Sequence, residues 1–198
     1  MKHILVDDII IPKPESYKDC IELIRSDYYR YTGRNASFLT MFLKTIKDHC
    51  FAYNFWLRLS AYEGWAHFLC KAIHFYQYEK YGIQISEKMN LGYGLYIGHG
   101  FGIIINGLTT IGNNVNISQF LTIGTNENRP ATIGDNVYIG PSVCIVEDVK
   151  IGNNTTIGAG AVVVKDVPEN ATVGGVPAKI ISYNTPARYI LRKYNYNK

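Results

Sequence analysis

From residue 85 onward an aliphatic side chain recurs at every sixth position. Ile85, Leu91, Ile97 and Ile103 keep the step; after Ile103 it skips by two, and Ile105, Ile111, Ile117 and Ile123 take it up again. A polar excursion, GTNENRPAT, intervenes before Ile133, Ile139, Ile145, Ile151, Ile157 and Val163. Glycine follows the aliphatic position at Gly98, Gly112, Gly124, Gly134, Gly140, Gly152 and Gly158, with Asn113, Asp135 and Asn153 next in line. Such a hexapeptide period predicts a parallel β-helix. Each hexad is a short strand and a corner, and its aliphatic residue points inward to stack on its equivalents in the neighbouring coils. Glycine and asparagine accept the positive φ that tight corners demand. Three hexads make a triangular coil of about eighteen residues.

The first 81 residues follow a helical pattern instead. Ser16, with Asp19 three positions on, resembles a capping box opening a helix through Cys20, Ile21, Leu23 and Ile24. Thr32-Gly33 ends it, and Ser37 caps a second helix with Phe38, Leu39, Phe42, Leu43 and Ile46 on one broad face. A third, aromatic-rich stretch runs from Phe51 to Tyr81 with a break near Gly64. Its Phe55, Trp56, Trp65, Phe68, Phe75 and Tyr76 are expected to pack against the neighbouring domain or a partner subunit, a membrane-surface helix being the other reading. The expected organisation is an α-helical domain over 1–81, a β-helix over 82–181 and a tail over 182–198. The fold class is mainly β.

Composition narrows the function classes. An apolar share of 47% and a charged share of 18% are those of a globular protein. The net charge of +4 owes much to the tail residues Arg188, Arg192, Lys193 and Lys198, without the dense basic stripe of a nucleic-acid binder. Cys20, Cys50, Cys70 and Cys144 form no CxxC pair and read as free thiols of a reducing compartment. The opening MKHILVDDIIIPKPES is interrupted by Asp7 and Asp8 and lacks a small-residue cleavage site. No apolar run reaches the roughly 18 residues of a spanning helix. The expectation is a cytoplasmic protein with no transmembrane segment.

The break in the rhythm holds the candidate chemistry. In LYIGHGFGIIING, His99 stands fenced by glycines and is the one histidine of the repeats; His3, His49, His67 and His74 precede them. A register break lets a corner leave the regular triangle and present a side chain outward. On the residues alone, His99 is either a catalytic base or a hydrogen-bonded corner histidine. One histidine cannot supply the three-histidine site of a metal enzyme on such a fold, so no metal is expected.

GLYIGHGFGIIING, the loop before Ile133 and the ending IGAGAVVVKDVPENATVGGVPAKII resemble the hexapeptide-repeat acyltransferases, in particular the serine acetyltransferase branch. The resemblance covers roughly residues 82–181 and implies a left-handed β-helix, a homotrimer, and acetyl-CoA lying in the groove between two subunits. It makes His99 the general base that takes the proton of an attacking hydroxyl. Attack is direct, with no acyl-enzyme, and Cys144 has no nucleophilic part. For CoA it points to Gly124, Pro141 and Ala159, with Lys165 and Lys179 as phosphate candidates by charge and position. Pro141 replaces a usual alanine and offers no amide donor.

The departures from the pattern concern the acceptor. Gln84 stands where an aspartate fifteen residues before the histidine orients the ring, with Glu87 the nearest carboxylate in sequence. Gly98 stands where an aspartate helps to hold serine, and Asn128 and Arg129 match loosely the Arg-His pair of the substrate loop. The chain ends in Asn197-Lys198 rather than in the isoleucine that docks into the sulfhydrylase of cysteine synthesis. DYYRYTG and FWLRLSAY resemble enzymes of capsular and exopolysaccharide synthesis. These departures favour a sugar or polysaccharide-precursor hydroxyl as acceptor, with L-serine the alternative and a silent CoA-binding scaffold the third reading.

Overall fold

A computed structural model describes residues 1–127 and 129–196. Three stacks of short parallel strands form a triangular β-helix. One joins Ile83–Gln84, Ile103–Ile105, Thr122–Gly124, Cys144–Val146 and Val162–Val163; the second joins Asn90–Leu91, Thr110–Ile111, Thr132–Ile133 and Lys150–Ile151. The third joins Tyr96–Ile97, Asn116–Ile117, Tyr138–Ile139, Thr156–Ile157 and Thr172–Gly174, and closes with an antiparallel Lys179–Ser182. The repeat aliphatics from Ile85 to Val173 are buried as one continuous ladder.

Register shows where the rhythm breaks. Ile97 pairs with Ile117, a step of twenty residues, whereas Ile105 pairs with Ile123, a step of eighteen. Ile103 and Ile105 both face inward, with exposed Ile104 between them. The two extra residues therefore sit in the corner Gly98–Gly102, ahead of the Ile103 at which the sequence places the skip. The polar excursion widens the next coil to twenty-two residues, from Ile111 to Ile133.

One edge of the triangle turns on a column of left-handed residues: Gly94, Asn114, Asn136, Asn154 and Asn170, with φ between 56° and 67°. Asn136 Nδ2 donates to Asn154 Oδ1 and Asn154 Nδ2 to Asn170 Oδ1, each at 3.1 Å. The side-chain amides thus pair with one another along the axis while their backbones take the αL corner.

The N-terminal region holds α1 (Tyr17–Thr32), α2 (Phe38–Lys47), α3 (His49–Ser60) and α4 (His67–Tyr81). Ser16 caps α1 through the Asp19 N–H, Ser37 caps α2, and Gly33 closes α1 at φ 72°. The helical reading fails over the first thirteen residues. Lys2–Val6 and Ile9–Lys13 form an antiparallel hairpin around Asp7 and Asp8, both at positive φ. Alternation explains it: Ile9 and Ile11 are buried while Ile10 is exposed, and Ile10 O accepts from Asn113 Nδ2 at 3.1 Å.

The first coil has no coil above it, so its outward main-chain groups need other partners. The helices supply them. Arg30 donates to Gly94 O at 2.7 Å and Asn116 Oδ1 at 2.6 Å. Tyr31 bonds both the O and the N of Ile97, Tyr53 donates to Ile83 O, and Asn54 to Leu95 O. The tail folds back on this junction, with Tyr194 exchanging hydrogen bonds with Asn114 and Tyr189 lying 4.6 Å from the Tyr138 ring.

The aromatics divide. Phe55 is buried and Trp56 half-buried, whereas Trp65, Phe68, Phe75 and Tyr76 are exposed along α4 and its approach. No helix among the described residues is long and apolar enough to cross a membrane.

Candidate active site

The corner Gly98–Gly102 is held from several sides. Gly98 N donates to Ile117 O at 2.9 Å, Phe101 N to His99 O at 3.1 Å, and Gly102 N to Tyr81 O at 3.0 Å. Phe120 N, in the next coil, donates to Phe101 O at 3.0 Å. The Phe101 ring packs 5.1 Å from His49 and 5.7 Å from Tyr81. Gly100 is buried; a Cβ there would stand 3.0 Å from Ile83 Cδ1 and 3.2 Å from Cys50 Sγ. The fixed main chain leaves the His99 side chain exposed, with no hydrogen-bond partner among the described residues. Its surroundings are those of an available imidazole, not of a ring tied into a corner.

Hydrogen bonds between coils place other candidates on the same edge. Below the corner, Gln119 O accepts from Ser142 N, and Pro141 O accepts from Gly160 N. With Phe120 N donating to Phe101 O above them, Pro141 and Ala159 therefore stack below Phe101, on the edge that carries the His99 corner. Lys179, paired with Gly174, lies at the far end of this column. The stack beginning at Ile83–Gln84 runs from this edge to the next, and its outward residues are Gln84, Ile104, Thr122, Cys144 and Val162. At its other side stand Gly124, where a Cβ would meet nothing within 4 Å, and exposed Lys165. Lys165 and Lys179 have no ion pair among the described residues.

Two expected partners are not assembled within the chain. Gln84 lies on the face next to the His99 corner, yet no hydrogen bond joins it to the ring. Glu87 is taken by Lys71: burial is the largest influence and works to raise its carboxyl, but the hydrogen bond and charge of Lys71, a backbone hydrogen bond and the charge of His74 together hold it below its usual value. Arg129 is exposed, 3.8 Å from Glu127, in the excursion that leaves the Gly124 edge, one face away from His99. Asn128 lies outside the described residues. Gly98 is half-buried beside His99, with ordinary space for a side chain.

Cys50 was legible in sequence only as a buried thiol, yet it touches the corner on both sides of His99. Gly100 N donates to its Sγ at 3.1 Å, and Sγ lies 3.7 Å from Gly98 O.

A parallel β-helix with a histidine-bearing bulged corner and a helical cap defines a class, the hexapeptide-repeat transferases. The family described as bacterial transferase hexapeptide (six repeats) matches residues 130–165. A serine acetyltransferase from Staphylococcus aureus is 34% identical over 104 residues, 50% of this chain and 49% of its own length. The solved serine acetyltransferase of Neisseria gonorrhoeae in complex with serine superposes with a TM-score of 0.67 at 30% identity, covering 83% of this chain and 70% of that one. The enzyme of Brucella abortus strain S19 in complex with coenzyme A superposes at 0.64 and 26% identity, covering 83% and 67%. The chain belongs to the serine acetyltransferase branch of this family, and its coils form the left-handed β-helix of that branch. It spans no more than about half the length of the curated relatives it matches.

Proposed function

We propose that the chain is an acetyl-CoA-dependent O-acetyltransferase in which His99 acts as general base. The observation that carries this reading is the His99 corner: a main chain fixed by hydrogen bonds presents an exposed imidazole, without a hydrogen-bond partner among the described residues, on the edge that also carries Pro141 and Ala159. An alcohol is a weak nucleophile at neutral pH. The neutral imidazole takes its proton as it attacks the thioester carbonyl. The tetrahedral intermediate then expels CoA thiolate, which receives a proton. Loss of the base is expected to cost on the order of 10²- to 10⁴-fold.

The groove for acetyl-CoA runs along the face from Pro141 and Ala159 to Gly124, with Lys165 and Lys179 as the cations for its phosphates. Small or absent side chains at Gly124, Ala159 and Gly160 leave room there. The reading includes a homotrimer acting in the cytoplasm. Exposed Phe101, Ile104 and Phe120 beside His99 form an apolar patch suited to a neighbouring copy.

For the acceptor, L-serine is the first reading. It rests on the serine acetyltransferase relatives, one of them solved in complex with serine. This reverses the preference for a sugar hydroxyl drawn from the departures in sequence. A sugar stays as the second reading because Gly98 and Gln84 put no carboxylate beside His99. The deciding experiment measures thiol release from acetyl-CoA with L-serine and with a panel of sugars, nucleotide sugars and oligosaccharides, His99→Ala alongside. Serine turnover lost in the variant supports the first reading. Turnover on a sugar alone supports the second. Turnover that persists in His99→Ala removes the base.

A further inference from the structure

We propose that Cys50 is a positioning residue for His99, its thiol fixing the two peptide groups that flank the histidine. Cys50 lies in the first turn of α3, whose N-cap is Asp48, and is only 5% exposed. The sulfur accepts from Gly100 N at 3.1 Å and is within donating reach of Gly98 O at 3.7 Å, with His49 Nε2 3.5 Å away. The chain from Gly98 to Gly100 therefore straddles one sulfur atom, with His99 at the crest. Burial pushes the thiol above its ordinary pKa, so it keeps the proton that the Gly98 contact uses.

The rest of the corner bears on the same residue. The neighbouring His49 ring supports the corner from the side, its centroid 4.8 Å from Tyr81 and 5.1 Å from Phe101 in tilted contacts. Gly100 leaves no space for a shift, since even a Cβ would stand 3.2 Å from the sulfur. The corner is two residues longer than the equivalent corner below it and cannot take its shape from coil stacking alone. The helical domain supplies the missing support through Cys50. Misplacing a catalytic group by about 1 Å can cost 10²-fold in rate, so this support has a catalytic consequence.

The inference rests on His99 as general base, and its test separates the two. For wild type, Cys50→Ala, Cys50→Ser and His99→Ala, kcat and the KM for acetyl-CoA are measured per site, with sites counted by CoA binding. Cys50→Ala is expected to lower kcat about tenfold or more with the KM for acetyl-CoA unchanged. Cys50→Ser, which keeps a donor and an acceptor, is expected to return kcat to within about threefold of wild type. A merely structural cysteine would lower the number of sites and leave kcat per site alone. If Cys50→Ala does not fold, Gly100→Ala tests the same contact by wedging a methyl against the sulfur, with the same loss of kcat expected. Unchanged kcat in Cys50→Ala, or in Gly100→Ala where that is the variant tested, overturns the inference, as does equal loss in the serine and alanine variants. With His99→Ala inactive, such results leave the base reading standing. Turnover that survives in His99→Ala removes both.

Discussion

Arg58 grips Asp27 at two points, Nε to Oδ2 at 2.9 Å and Nη2 to Oδ1 at 3.0 Å, and both side chains are buried. Neither is there for the other alone. Asp27 Oδ1 also accepts from Leu95 N at 2.8 Å, and Arg58 donates to Gly92 O at 2.7 Å and Leu91 O at 3.3 Å. The pair thus satisfies the uncovered edge of the first coil from α1 and α3 together. A buried pair repays its desolvation only when its remaining hydrogen-bonding capacity is met, and here the open coil meets it.

Breaking this junction is expected to be costly. Arg58→Met leaves the Asp27 carboxylate buried without its cation, at a cost of about 3–5 kcal/mol. Asp27→Leu strands the guanidinium in the same way. The double variant should lose clearly less than the two single losses combined, because neither charge is then left behind. Urea denaturation of the four proteins checks this. Additive losses would show that the two residues act on the coil independently.

The asparagine edge makes a sharper test of corner chemistry. Asn154 has φ 59° and bonds its amide both ways along the column, from Asn136 and to Asn170. Asn154→Ala loses both side-chain bonds and leaves a Cβ residue in αL, together about 2–4 kcal/mol. Asn154→Gly loses the bonds but relieves the backbone, so its loss should be smaller by about 1 kcal/mol. Thermal unfolding of both variants gives the order. The reverse order would mean that the backbone is not strained at this corner.

What sequence made legible follows from the range of the interactions. The hexad period is local, so Ile85 to Val163 could be placed inward without knowing any contact, and His99 stood out because glycines fence it. Asp27, Arg30, Tyr31, Tyr53, Asn54 and Arg58 gave no such sign. They look like ordinary helix residues because the groups they satisfy lie some 30 to 70 residues away in the first coil. Cys50 was silent for the same reason, since Gly98 and Gly100 are 48 and 50 residues on. The hairpin is hidden from a helical reading because the helical pattern begins only at residue 16, and the alternation of Ile9 and Ile11 is too short a strand signal to stand out beside it. Gln84 could be counted to from His99, but counting did not supply a hydrogen bond to it.

The acceptor is open to a gain-of-function test at Gly98. Its φ is not in the left-handed region, and a Cβ would meet its nearest neighbours, Ile117 O, Ser118 Oγ and Tyr96 Cε1, at an ordinary 3.7 Å. Gly98→Asp therefore fits the fold, and it restores the carboxylate that the serine acetyltransferase pattern carries before the histidine. If serine is the acceptor, the KM for serine should fall about tenfold through a charge-assisted bond to its ammonium group. If a sugar is the acceptor, the new charge gains nothing and sugar turnover should drop. Steady-state kinetics with both acceptors separates the cases.

His74 sets an acid limit on the fold. It is buried on α4 with its ring 5.0 Å from Tyr53, and its Nε2 has no partner among the described residues. Burial pushes its pKa down to about 4, with Glu87 acting to raise it and Lys71 to lower it further. The ordinary value is 6.5, so between 6.5 and about 4 the unfolded chain binds a proton that the folded chain refuses. The stability in question is fully present above pH 6.5 and is lost progressively toward about pH 4, up to about 3 kcal/mol in all. Urea midpoints at about pH 7.5 and pH 4.5, compared between wild type and His74→Leu, should show the larger acid loss in wild type, by about 2 kcal/mol. Parallel losses in the two proteins would assign the acid limit to other groups. The variant removes the titrating ring and leaves an apolar side chain against Tyr53, so its stability should depend less on pH even if it is lower throughout.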